Sequence, residues 1–241
     1  MPSGAARHVP ERSPGRLPRG TLDPGVIVEA AFAFAEEHGV EAITVPALAE
    51  RLGVRTTAIY WHFRRKDDLI AALSAAAVER FNALFPPPSV GSWQQQARSY
   101  WSEYRRIVRQ NPVLFEFMVA RWDIAVASAE AVRRHHDRID RAMAPLLAAG
   151  MSPDRAARAY YVLSTFVHGS LSNERNGRRA LHRASAGHGD PAPGPTDGLP
   201  ALAATWPYWN WPQTSDADFD AGLATILAGL GAELDMPRER G

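Results

Sequence analysis

The stretch 44–69 constrains what this chain can fold into more than any other. Leu48, Ala49 and Leu52 mark one apolar face of a short helix, and Thr44 ahead of them can cap its free amides. Gly53 follows, a residue that takes a left-handed turn where a bulkier one would resist it. A second short helical pattern runs from about Thr56 to Phe63, with Ile59 and Phe63 four apart on its inner face and hydroxyls and aromatics elsewhere. From Arg51 to Lys66 there are five basic side chains, Arg51, Arg55, Arg64, Arg65 and Lys66, and no acid. Two short helices, a tight turn and a basic flank are the layout of a helix-turn-helix, which sets its second helix in the DNA major groove.

The charge of the whole chain narrows that reading. With a formal net charge of +1 over 241 residues, a coat of nucleic acid is not expected, and any contact with it should be confined to a patch. An apolar fraction of 46% is ample for a core, yet no run of 18 apolar residues occurs, so no membrane partner is expected. The Arg-rich start is not followed by the apolar segment of a secretory signal. No cysteine is present, which excludes disulfides and thiolate metal sites and fits a cytoplasmic protein. No Gly-rich phosphate loop is evident, and no cofactor is implied.

Residues 1–20 read as a disordered basic arm. Asp23 and Pro24 open the first helix, and Gly39 suits its end. The fourth helix runs from Asp67 towards Phe85 and stops at Pro86, Pro87 and Pro88. Further helices are expected over 92–110, 125–149 and from Ser152 to about Leu171. Residues 174–198 lose periodicity and read as a mobile loop. A short apolar element at 199–208 leads into Trp209 and Trp211, a cluster suited to a lid or an interface plug. The last helix, 216–234, carries Phe219, Leu223, Ile226, Leu227, Leu230 and Leu234 on one face, and with the helix ending near Leu171 it suggests an intersubunit four-helix bundle. The fold class is all-α. A three-helix helix-turn-helix DNA-binding domain, 21–68, is joined to a larger helical ligand-binding and dimerisation domain, 69–241.

Leu52-Gly53-Val54, then Ile59-Tyr60-Trp61-His62-Phe63, then Lys66 and Leu69, resemble the tetracycline-repressor (TetR) family of regulators. Gly91-Ser92-Trp93-Gln94, the helix start at Gly150 to Ala156 and the terminal helix resemble the same family's regulatory domain, so the likeness covers about 22–234. It implies a homodimer, a repressor and release from DNA by a small-molecule inducer.

On the second helix of the motif, Arg55, Thr56, Thr57 and Tyr60 sit at the groove-facing end. Arg55 can hold guanine O6 and N7 together, and Thr56 and Thr57 can touch bases or a thymine methyl. Thr44, Tyr60, His62 and Lys66, the sole lysine of the chain, suit phosphates, and Trp61 joins them as a candidate DNA contact or packs between helices. A two-fold dimer would read double-stranded DNA with an inverted-repeat operator, its half-sites about one helical turn or a multiple apart.

The resemblance places ligand contacts at Asn82, Phe85, Tyr100, Tyr104 and Met118. Trp122 and His168 join them from the aromatic stock and polar candidates of the larger domain. Family members that bind a magnesium–drug chelate use a histidine where Met118 stands, and a thioether is a poor magnesium ligand. A flatter, larger or more apolar ligand is expected, held by stacking and one or two hydrogen bonds.

Two other classes remain open. His135-His136-Asp137 invites a metal-dependent hydrolase-like enzyme, although neighbouring helical residues point about 100° apart. A ligand-binding module without DNA binding is the other.

Overall fold

The computed structural model describes residues 22–120, 129–185, 198–208 and 215–235. Among the described residues there are ten α-helices and no strand. The arm 1–20, Trp122, the end of the expected loop at 186–197, and Trp209 and Trp211 lie outside them. The chain divides into two compact units, Met1–Arg80 with Pro112–Arg134, and Phe81–Asn111 with His135–Gly241.

In the first unit, α1 (Pro24–His38) starts where the Asp23 carboxylate accepts a hydrogen bond from the Val26 amide at 2.9 Å. Its Ile27, Ala31, Phe32 and Ala35 are buried, at helical spacing. A short turn of 3-10 helix, Val40–Ala42, leads to α2 (Val45–Leu52), which buries Val45, Leu48, Ala49 and Leu52. Gly53 takes φ 63° and ψ 29°, the left-handed region, and turns the chain into α3 (Thr56–His62). α1 packs on α2, and α2 on α3. The unit also holds the larger part of α4 (Lys66–Leu84), then α6 (Pro112–Phe115) and the π-helical turn Glu116–Ala120. The Phe117 ring meets Phe32 edge-on at 5.5 Å. Arg80 lies 3.8 Å from the Phe32 ring centroid and pairs with Glu29.

The second unit is built on α5 (Trp93–Gln110), α7 (Ala129–Ala148, from His135 onward), α8 (Pro153–Ser185) and α10 (Asp216–Asp235), with a short α9 (Pro200–Thr205). Ser92 and Gln95 form a reciprocal capping box at the start of α5. α5, α8 and α10 pack on one another.

One expectation is corrected here. The expected loop does not begin at 174, because α8 continues as one helix to Ser185. Apolar periodicity fades there because ionic anchoring replaces it. Buried Glu174 accepts from Arg105 Nε at 2.9 Å and Nη2 at 2.7 Å, and Arg105 also reaches Asp216 at the head of α10. Phe219, Leu223, Leu227 and Leu230 on the apolar face of α10 are buried within the subunit. Gly222 permits that packing, since a Cβ there would lie 2.6 Å from the Phe166 ring. No described helix is long and apolar enough to cross a membrane.

Candidate functional site

The first candidate surface is built from α2 and α3. Thr44 caps α2, its hydroxyl accepting from the Ala47 amide at 3.2 Å. Ile59 and Phe63 are buried and fix α3 in place, which turns the rest of that helix outward. Trp61 is 80% exposed and Tyr60 47%, so neither packs between helices. Thr44, Arg55, Thr57 and Lys66 are exposed, and Thr56 and His62 half-buried. The His62 ring meets Trp61 edge-on at 4.9 Å.

The five cations of the stretch divide into two groups. Arg51 donates to both oxygens of Glu37, at 2.7 and 2.6 Å, and this holds the Glu37 carboxyl below its ordinary range. Asp68 accepts from the Arg65 amide at 2.9 Å and from its guanidinium at 3.2 Å. Arg55, Arg64 and Lys66 form no ion pair among the described residues. The uncommitted positive charge therefore lies at the two ends of α3.

The second candidate site lies in the second unit. Phe85 packs on Tyr100 at 4.8 Å between ring centroids and on Phe81 at 5.4 Å. Phe81 meets Tyr104 at 4.9 Å, and Tyr104 meets Trp101 at 5.8 Å and His168 at 5.4 Å. His168 Nε2 and the Tyr104 hydroxyl are hydrogen-bonded at 3.0 Å. Burial, reinforced by the Arg138 charge, lowers the His168 pKa to about 4. Burial raises the Tyr100 and Tyr104 pKa values, so both hydroxyls stay protonated. A cleft of about 30 Å³ opens between α5 and α7, lined by Phe85, Tyr100, Ala142 and Pro145, with Arg141 and Glu103 at its polar side.

Asn82, Phe85, Tyr100, Tyr104 and His168 thus share one unit. Asn82 is half-buried near the end of α4, and its carbonyl accepts from the Phe85 amide at 3.3 Å. Met118 is buried and belongs to the other unit, in the π-helical turn. Reading the sequence missed Arg138. It lies in the polar run 133–138, which reads as solvated surface, yet it is only 5% exposed. Its register was the available signal, because Arg138, Ala142 and Leu146 recur every four residues and all are buried. The histidine pair is likewise divided. His136 is exposed, while His135 Nδ1 accepts from Arg138 Nη2 at 2.7 Å. A guanidinium is a poor neighbour for a metal ion, and among the described residues no group of three His, Asp or Glu side chains is placed to hold one.

Comparison with known proteins places most of the chain in two family profiles. The profile of bacterial regulatory proteins, tetR family, matches residues 27–73, and that of the tetracyclin repressor-like C-terminal domain matches 85–234. An HTH-type transcriptional repressor of Mycobacterium tuberculosis is 32% identical over 232 residues, covering 92% of this chain and 85% of its own. The class A tetracycline repressor protein from transposon 1721 of Escherichia coli is 30% identical, covering 87% of this chain and 90% of its own. The fold is also that of the Streptomyces coelicolor TetR family protein ActR, solved in complex with actinorhodin (TM-score 0.63, 22% identity, 90% of this chain and 100% of that one). The chain belongs to the tetR family of bacterial regulatory proteins, as a DNA-binding transcriptional regulator with a tetracycline repressor-like ligand-binding domain.

Proposed function

We propose that this chain is a cytoplasmic, homodimeric repressor that holds an inverted-repeat operator and leaves it when a small, largely apolar aromatic molecule binds. The observation that carries the reading is the outer face of α3, where exposed Arg55, Thr57, Tyr60 and Trp61 stand on a helix anchored by Ile59 and Phe63. Arg55, Thr56 and Thr57 read bases. Thr44, Tyr60, His62 and Lys66 hold phosphates, with Trp61 on the same face. The helix-turn-helix over 21–68 forms the reader, and 69–241 the sensor and dimerisation domain.

Dimerisation uses the outer faces of α8 and α10. Tyr161, Val162, Thr165 and Gly169 are exposed on α8, and Ala221, Thr225, Ala228 and Gly229 on α10. Thr165 and Gly169 on α8 and the four small residues on α10 let a second pair of helices approach closely enough for a four-helix bundle, with Tyr161 and Val162 adding apolar surface to it. In the sensor, Asn82, Phe85, Tyr100, Tyr104 and His168 contact a flat ligand. A relative is named a tetracycline repressor and a structural neighbour was solved with actinorhodin. Met118 in place of a histidine argues against a magnesium chelate here. The ligand favours one of two dimer conformations and so changes the spacing of the two readers.

The test is selection of protein-protected DNA followed by fluorescence anisotropy on the selected duplex. Two protomers per inverted repeat and release by an aromatic inducer are expected. A molecule that binds tightly while operator affinity stays unchanged would contradict the release mechanism.

A further inference from the structure

The core of the second unit contains a buried cation with no counter-charge among the described residues. The Arg138 guanidinium lies over the Phe81 ring at 5.3 Å and the Tyr104 ring at 5.5 Å. Its Nη2 donates to neutral His135, while Nε and Nη1 are buried with no hydrogen-bond partner. No carboxylate pairs with it among the described residues, although nearly every other buried charge in this unit is matched. Arg105, for instance, faces both Glu174 and Asp216. The pKa values of His135 and His168 are each lowered to about 4, so neither adds charge at neutral pH. The Tyr100 hydroxyl donates to the Arg138 carbonyl at 3.2 Å, not to the side chain, so it adds no counter-charge to the guanidinium.

Burying an unpaired charge is costly, and a buried polar group without a partner marks a place where something else supplies one. Guanidinium is planar and presents paired N–H donors, which match a carboxylate or a similar anionic oxygen pair. The α5–α7 cleft lies one turn along α7, at Ala142, and shares Tyr100 with this site. Arg141 at the cleft forms no ion pair among the described residues, whereas Glu103 is held by Arg106.

We propose that Arg138 is the counter-charge for the inducer, and that the inducer is therefore an aromatic acid whose anionic oxygens take the free Nε and Nη1 donors. This deepens the reading above and rests on it for the location of the sensor. Arg141 attracts the anion to the cleft, and displacement of Tyr100 gives access to the guanidinium. The aromatic rings stack on the body of the ligand.

The full-length protein is titrated, by intrinsic tryptophan fluorescence and calorimetry, with benzoate, 2-naphthoate and 9-anthracenecarboxylate, each beside its neutral carboxamide. At least one acid should bind about tenfold tighter than its amide or more, as one lost charge-assisted pair requires. Arg138→Met should abolish that preference, and Arg138→Lys should retain part of it. The ligand-free Arg138→Met protein should melt no lower than the wild type, because it loses a charge that had no partner. Equal binding of acids and amides, no binding by any acid, a preference that survives Arg138→Met, or a clear fall in melting temperature would each overturn the proposal. Operator release is measured separately on the same complexes. Selective binding without release would leave this assignment standing and refute the repressor reading.

Discussion

At the residue scale, the chemistry depends on which charges are already committed. Arg51 and Arg65 face Glu37 and Asp68, while Arg55, Arg64 and Lys66 face no acid among the described residues. Arg55→Ala should relax sequence preference and cost about 1–3 kcal/mol at one base pair. Lys66→Ala should weaken every duplex and lower the salt slope by about one unit. Arg51→Ala should leave the slope unchanged, because that cation already has its partner. Anisotropy on specific and scrambled duplexes at several salt concentrations separates the three, and equal loss of specificity for Arg55 and Lys66 would refute the sorting. The buried histidines give a second check. His135 and His168 have folded pKa values near 4, below the ordinary 6.5, so below about pH 6.5 the unfolded chain takes up protons more readily. Stability should be full above pH 6.5 and fall as the pH drops towards 4, and His168→Gln should flatten part of that fall in thermal melts. An unchanged profile would place His168 in water. The aromatic-histidine run was legible in the sequence because its residue types are distinctive. Arg138 was not, because an arginine among arginines and histidines carries no sign of burial.

At the scale of elements, caps and turns were the easiest features to read and helix ends the hardest. Asp23, Thr44 and Gly53 do in the structure what their chemistry predicts. α8 outran its expected end because hydrophobic spacing is blind to an ionic anchor such as Arg105–Glu174. Glu174→Gln should therefore destabilise by about 3 kcal/mol, the low end for breaking a buried pair, since Asp216 still faces Arg105. Chemical denaturation checks this, and a loss below about 0.5 kcal/mol, typical of surface sites, would make the pair incidental. Gly222→Ala should cost about 1–3 kcal/mol by overpacking against Phe166. Gly229→Ala meets open space and should be neutral or slightly stabilising, because alanine is the better helix former. The sequence showed glycines in the last helix but not which of them touched a neighbour.

At the scale of the whole molecule, the sequence reading reached the all-α class and the family, because both rest on local helical patterns and one distinctive motif. It could not say which part of the apolar stripe of α10 meets its own core, since such a stripe reads the same against a core or a partner, and the structure buries Phe219, Leu223, Leu227 and Leu230 within the chain. The exposed small residues of α8 and α10 are where two copies are proposed to meet. Gly229→Arg should then give a folded monomer by light scattering, with operator affinity lost although α3 is untouched. The most direct test of the account is anisotropy of the wild-type protein on a selected inverted repeat, beside a scrambled duplex of equal length. The account predicts two protomers per duplex and binding at least about 10³-fold tighter to the repeat at physiological salt. Equal affinity for the two duplexes, or saturation by a single protomer, would contradict it.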